Sequence, residues 1–296
     1  MVEGVKMKNA LLIVNRTARK AKNTVVPEVQ TFFNKNNISL DVAYWRKRGD
    51  AIIAAKESAG KYDVVIAAGG DGTINEVING LAGSKTRLGI IPVGTGNVFA
   101  IELNIPRNVK KACEIILRKK TRKVDLGKAN NRYFMLWTGI GIDAHAIKAV
   151  HQSLFWKQAL GAFAFFFLGL KSYFYYKSRK LYIYQNQKLV ETGYFVVVGN
   201  VKHYGGRFRL LPFADLEDGN LDVLVFKKRG LTNYLRYFFG IYTGSHIGYD
   251  DVVYFKTKRI SIVCKRPMLV HVDGDVVDVT PVSIVVLPKH LEVIVP

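Results

Sequence analysis

The sequence predicts an α/β protein: a parallel sheet with crossover helices in the N-terminal part, then an antiparallel β-sandwich interrupted by helical inserts. Three observations lead there. Before about Asp125, short apolar runs alternate with helical stretches, the rhythm of strand, crossover, strand. After it, period-two and continuous apolar runs dominate, punctuated by Asp218-Gly219-Asn220 and Asp273-Gly274-Asp275. The length of 296 residues, 49% of them hydrophobic, suits two domains better than one. The expected boundaries are 1–126, 127–288, and a final strand, 289–296, returning towards the first domain.

In chain order, the apolar runs place strands at Ala10–Val14, Leu40–Tyr44, Val64–Ala68 and Leu88–Val93. Helical patterns between them cover Val25–Asn36, Ala51–Ala59 and Ile74–Leu81. Beyond Asp125, strands are expected at Tyr133–Thr138, Lys180–Tyr184, Tyr194–Val198, Leu221–Phe226, Arg259–Cys264 and Ser283–Leu287. The helical inserts run from Ser153 to about Tyr176 and from Leu231 to about Thr243. The apolar segment Ala159–Leu170 is well short of the ~20 residues a membrane-spanning helix needs. Met1–Asn9 lacks the apolar stretch of a signal peptide, so a cytoplasmic protein is expected.

Charge is the outlier of the composition. Against 23 Asp+Glu stand 44 Lys+Arg, a formal net charge of +21, which draws the chain to polyanions: nucleic acid, an anionic membrane or a nucleotide. No zinc-ligand cluster or RNA-binding aromatic motif accompanies the charge, so nucleic acid is not the expected partner. Cys113 and Cys264 lie far apart and read as small apolar residues of a reducing compartment.

The richest stretch is Val64–Glu76, where a buried strand runs into Gly69-Gly70-Asp71-Gly72-Thr73 and then a helix. Glycines let backbone approach an oxyanion, a helix start offers unpaired N–H groups, and Asp71 can hold a cation or a proton. The alternative is a glycine turn that only joins strand to helix. Asn15 and Gly94-Thr95-Gly96-Asn97 end two further strands of the same sheet, and ligands in such sheets bind at strand carboxyl ends.

These residues resemble the superfamily of diacylglycerol kinases and sphingosine kinases, most closely its bacterial soluble members. The resemblance rests on Gly69–Thr73 with Asn75-Glu76, Asn15, Gly49-Asp50-Ala51 and Gly94–Asn97. It continues through Asp125-Leu126-Gly127, Gly139 to Ala144, Gly199-Asn200 with Tyr204-Gly205-Gly206, Pro212 to Leu221, and Asp273-Gly274-Asp275. It spans nearly the whole chain. It implies a phosphofructokinase- or NAD-kinase-like nucleotide domain, a β-rich lipid domain, ATP and Mg²⁺ as cofactors, and γ-phosphoryl transfer to a lipid hydroxyl. Asn15, Gly69, Gly70, Asp71, Gly72, Thr73, Asn75, Glu76, Gly94, Thr95, Gly96 and Asn97 would bind nucleotide, Asp71 holding Mg²⁺ directly or through water. Asp125 would order that network, or be an ordinary strand-end acid. Asp215, Asp218 and the Asn220 carbonyl would hold a structural Mg²⁺, or form a plain hairpin turn.

Two positions depart from the family pattern. Asp275 stands where relatives carry the Glu taken as the base for the lipid hydroxyl, one methylene shorter in reach. Trp45 stands where bacterial relatives tend to carry Thr; its indole could stack on the adenine, and packing against the sheet is the expectation. The aromatic inserts, with flanking Lys and Arg, suit the headgroup plane of an anionic bilayer or core packing. The reading is a peripheral lipid kinase at the inner membrane face, with diacylglycerol as first-choice acceptor. A sphingoid base, and a nucleotide-binding regulatory protein with weak catalysis, are the alternatives, and homodimerisation through a strand edge is left open.

Overall fold

The computed structural model describes residues 7–15, 21–151, 178–204 and 208–296. The expected insert Ser153–Tyr176 and two motif glycines, Gly205 and Gly206, lie outside them. The chain divides into two compact units, Met1–Val124 with Lys289–Pro296, and Asp125–Pro288.

In the first unit β1 (Asn9–Asn15), β2 (Ser39–Trp45), β3 (Val64–Gly69) and β4 (Arg87–Pro92) form a parallel sheet in the order β2-β1-β3-β4. Every residue of β3 is buried, which is why its run reads as continuously apolar. Helices α1 (Val26–Lys35), α2 (Asp50–Ser58), α3 (Asp71–Leu81), α4 (Val98–Glu102) and α5 (Val109–Arg118) connect and follow the strands. α1 starts with a proline in its first turn and buries Val26, Val29 and Phe33. α5, absent from the sequence reading, is capped by Asn108, whose side chain accepts the Lys111 N–H at 2.9 Å. α3 begins three residues before the expected Ile74. Extended Gly70 (φ −90°, ψ −174°) is its cap, and the Gly70 carbonyl accepts the Ile74 N–H at 3.1 Å.

The second unit is an antiparallel sandwich. One sheet runs β14-β13-β10-β7-β16-β17, from β14 (Val252–Thr257), β13 (Leu221–Phe226), β10 (Phe195–Gly199), β7 (Trp137–Ile140), β16 (Leu269–Val272) and β17 (Asp275–Val279). The other contains β8 (Leu181–Gln185), β9 (Lys188–Gly193), β15 (Arg259–Cys264) and the start of β18 (Val282–Ile294). Val196, Val198, Val223, Val225, Ile140 and Val270 of the first sheet share one buried cluster with Leu181, Ile183, Ile260, Ile262 and Ile284 of the second. β5 (Thr121–Ala129) pairs with β6 (Arg132–Phe134), and the Phe134 ring covers Gly127, where a Cβ would lie 2.0 Å from it. Helix α6 (Ile142–His151) follows β7, a short ribbon pairs β11 (His203–Tyr204) with β12 (Phe208–Arg209), and α7 (Leu231–Thr243) follows β13.

The strand expected at Tyr133–Thr138 is two strands, β6 and β7. They part because the amides of Met135, Leu136 and Trp137 all turn to the Asp273 carboxylate, at 2.9, 3.0 and 3.0 Å, and not to a neighbouring strand. The strand expected at Ser283–Leu287 extends much further. Its end, Lys289–Pro296, belongs to the first unit, where Val293 pairs in parallel with Leu88 of β4.

Candidate functional site

Two glycine loops at the carboxyl ends of β3 and β4 lie against each other. A Cβ on Gly94 would be 2.4 Å from the Gly70 Cα, and one on Gly70 would be 3.2 Å from the Gly94 Cα, so backbone meets backbone with no room for side chains. The Val93 N–H donates to the Gly69 carbonyl at 3.1 Å, extending the β3–β4 pairing into the loops. Gly69 is held tight from the other side: a Cβ there would strike Thr73 at 2.4 Å.

Asp71 ties the loops together. Its Oδ2 accepts the Val98 N–H and its Oδ1 the Phe99 N–H, both at 3.1 Å, so its carboxylate caps α4. Burial pushes the Asp71 carboxyl above its ordinary value, and the amides of Phe99, Val98 and Asn97 oppose that shift. A carboxylate where two glycine loops meet is the hard oxygen donor that a divalent cation or its water takes. Gly96 is adjacent, its would-be Cβ 3.1 Å from Asp71 Oδ2.

The other expected nucleotide residues divide into presenters and supports. Thr95 and Gly96 are exposed at the loop tip, and Asn15 ends β1, one step beyond the Val14–Ala68 pair. Asn97 is 1% exposed, adopts φ +55°, and brackets Gly94: its Oδ1 accepts the Gly94 N–H at 3.0 Å, and its Nδ2 donates to the Gly94 carbonyl at 2.8 Å. Buried Glu76 accepts the Gly49 N–H at 3.2 and 3.3 Å, pinning the loop after β2. Buried Asn75 accepts from the Asn79 side chain at 3.1 Å. These three shape the site through the residues they hold. Trp45, at the end of β2, has its indole nitrogen buried without a hydrogen bond, which agrees with packing.

Sequence reasoning missed Arg107. Its Nη2 donates to the Thr95 carbonyl at 2.7 Å and to the Gly96 carbonyl at 3.2 Å, fixing a cation on the exposed glycine loop. No motif marks it, since it follows the loop by one short helix.

In the second unit, buried Asp125 is bound to the acidic turn. Its Oδ2 accepts the Gly219 N–H at 2.6 Å, its N–H donates to the Leu216 carbonyl at 2.7 Å, and its carbonyl accepts from Asn200 Nδ2 at 2.8 Å. Asp125, Asn200 and the Asp215–Asn220 turn are thus one assembly, which the sequence reading treated as three motifs. The acidic side chains of the turn have partners within the chain. Asp218 Oδ1 accepts the Asn220 N–H at 2.9 Å and its Oδ2 the Lys256 ammonium at 2.5 Å, while Asp215 Oδ1 accepts the Glu217 N–H at 2.9 Å. Among the described residues no three His, Cys, Asp or Glu side chains gather as ligands.

Asp275 opens β17 after a two-residue hairpin turn in which Asp273 (φ +47°) and Gly274 (φ +83°) are both left-handed. Asp273, read in the sequence only as part of a turn, fixes that turn through three amides; Asp275 is half-buried beside it.

Comparison with known proteins matches this architecture. Residues 9–129 match the diacylglycerol kinase catalytic domain, and residues 138–295 match the YegS C-terminal NAD kinase beta sandwich-like domain. That pair of domains defines a lipid kinase, a phosphotransferase. A diacylglycerol kinase of Bacillus subtilis is 33% identical over 98% of this chain and 97% of its own length, and one of Staphylococcus haemolyticus is 33% identical over 98% and 88%. The chain therefore belongs to the diacylglycerol kinase family. A crystal structure of a diacylglycerol kinase from Bacillus anthracis superposes with a TM-score of 0.74 at 26% identity, covering 99% of this chain and 98% of that one. Yeast NADH kinase, at 10% identity and a TM-score of 0.55 over 98% of this chain and 83% of that one, shares the fold.

Proposed function

We propose that the protein transfers the γ-phosphoryl of ATP, with Mg²⁺, to the free hydroxyl of diacylglycerol at an anionic membrane surface. The observation that carries the nucleotide half of this reading is the backbone-to-backbone seating of Gly70 on Gly94 around the Asp71 carboxylate. Phosphoryl transfer asks mainly for positioning and charge neutralisation. Amides and hydroxyls of Gly69–Thr73 and Thr95 would cradle the phosphates, with Asn15 as a further polar contact. Arg107 would neutralise charge from the loop tip with the guanidinium nitrogens that Thr95 and Gly96 leave free. Bound Mg²⁺, held towards Asp71, would supply charge to the transferring group. Asp275 would accept the proton of the lipid hydroxyl, and Asp125 would set the turn around Gly219.

The family supports the acceptor, and the charge supports the membrane. The net charge of +21 favours an anionic bilayer, and α7 carries Phe239 and Tyr242, 58% and 59% exposed. Asp275 in place of Glu supports a second reading, a nucleotide-binding protein with weak turnover.

The test is transfer of label from γ-labelled ATP and Mg²⁺ to diacylglycerol, a sphingoid base and ceramide in mixed micelles, for wild type, Asp71→Ala and Asp275→Glu. Label on diacylglycerol alone, lost in Asp71→Ala, is the expected result. Label on the sphingoid base alone would replace the acceptor. ATP binding without transfer, with activity gained in Asp275→Glu, would establish the second reading.

A further inference from the structure

The Asp215–Asn220 turn is the place where kinship implies a structural divalent ion, and it is where this chain brings its own cation. β13 and β14 pair antiparallel with Asp222 directly opposite Lys256. Lys256 Nζ lies 2.5 Å from Asp218 Oδ2 and 3.8 Å from Asp222 Oδ1. Asp222 is fully buried; one oxygen takes the Tyr254 hydroxyl, and Oδ2 has no hydrogen-bond partner. Two carboxylates, one without access to solvent, thus converge on a single ammonium.

We propose that Lys256 is the resident cation of this turn: its ammonium, paired with Asp218 and opposed to Asp222, neutralises the acidic turn so that it holds Gly219 against Asp125 without bound metal. A magnesium ion demands near-octahedral oxygen ligands at about 2.0–2.1 Å, and a tethered ammonium on Asp218 Oδ2 both blocks that oxygen and repels a dication. Burial works against the Lys256 charge, but the bond to Asp218 and the Asp222 carboxylate outweigh it and hold the ammonium above its ordinary value. A dication would have to displace a partner that never diffuses away.

Two measurements on the full-length protein, without nucleotide, test this. The first is equilibrium dialysis of Mn²⁺ against wild type and Asp218→Asn. Equal binding by the two supports the proposal, and an Mn²⁺ site present in wild type and lost in Asp218→Asn overturns it. The second is a thermal double-mutant cycle. Lys256→Met is expected to lower the Tm by roughly 3–6 °C, and by clearly less in the Asp218→Asn background. An unchanged Tm in Lys256→Met, or equal losses in both backgrounds, overturns the pairing. Should Lys256→Met fail to fold, the dialysis decides alone. Neither readout depends on turnover, so the kinase reading can fail while this one stands.

Discussion

Asp273 illustrates what a single carboxylate can organise. It accepts three consecutive amides more than 130 residues away in sequence, the separations being 138, 137 and 136. An amide in its place offers one acceptor oxygen and turns an NH₂ towards N–H donors. Asp273→Asn is therefore expected to cost about 2–4 kcal/mol of stability in urea unfolding. Asp275→Asn should abolish turnover with a much smaller stability change. Asp71 gives a pH prediction. Its folded pKa is raised, so the folded state binds the proton more tightly than the unfolded chain. The group's contribution to stability is full below the ordinary aspartate pKa and is lost as pH rises through the raised one. In the proposed role Asp71 acts as the carboxylate, so the acid limb of kcat/KM should lie above the ordinary aspartate range. Among cysteines, buried Cys113 has its thiol pushed up to about 12 by burial, so an exposed-thiol reagent should modify native protein at Cys264 only. Asp71 was legible because glycines and a helix start surround it in sequence. Arg107, Lys256 and the hold of Asp273 on the Met135, Leu136 and Trp137 amides were not, because each is defined by a partner that only folding brings near.

At the scale of elements, the two glycine loops act as one part. Gly94→Ala sets a Cβ against the Gly70 backbone, which cannot swing aside as a side chain could, so stability should fall by about 1–3 kcal/mol and kinase activity with it. Gly72→Ala, with nothing within 4 Å of its would-be Cβ, should fold like wild type, so circular dichroism melting separates the two. A buried strand such as β3 was readable because both faces are apolar. β14, β16 and β17 escaped because they are short or mix buried with half-exposed positions, and α5 because its first turn is lysine-rich. The split of β6 from β7 carried no local signal, since its cause lies in the hairpin before β17.

For the molecule as a whole, the excess of basic residues makes a prediction about membranes that needs no contact map. Sedimentation with vesicles rich in anionic lipid should exceed that with neutral vesicles and weaken as salt shortens the screening length to below about 10 Å. The strand rhythm changes near Asp125, where the second unit begins, and the first unit is discontinuous in sequence. Leu291, Val293, Ile294 and Val295 are all buried there, yet a ribosome adds them after every residue of the sandwich. During translation the nucleotide-loop unit emerges first and waits with one edge of β4 unpaired, while the later-made unit can close ahead of it. A nascent chain stalled after β4 but short of residue 289 therefore carries an open strand edge, a feature that chaperones and proteases read.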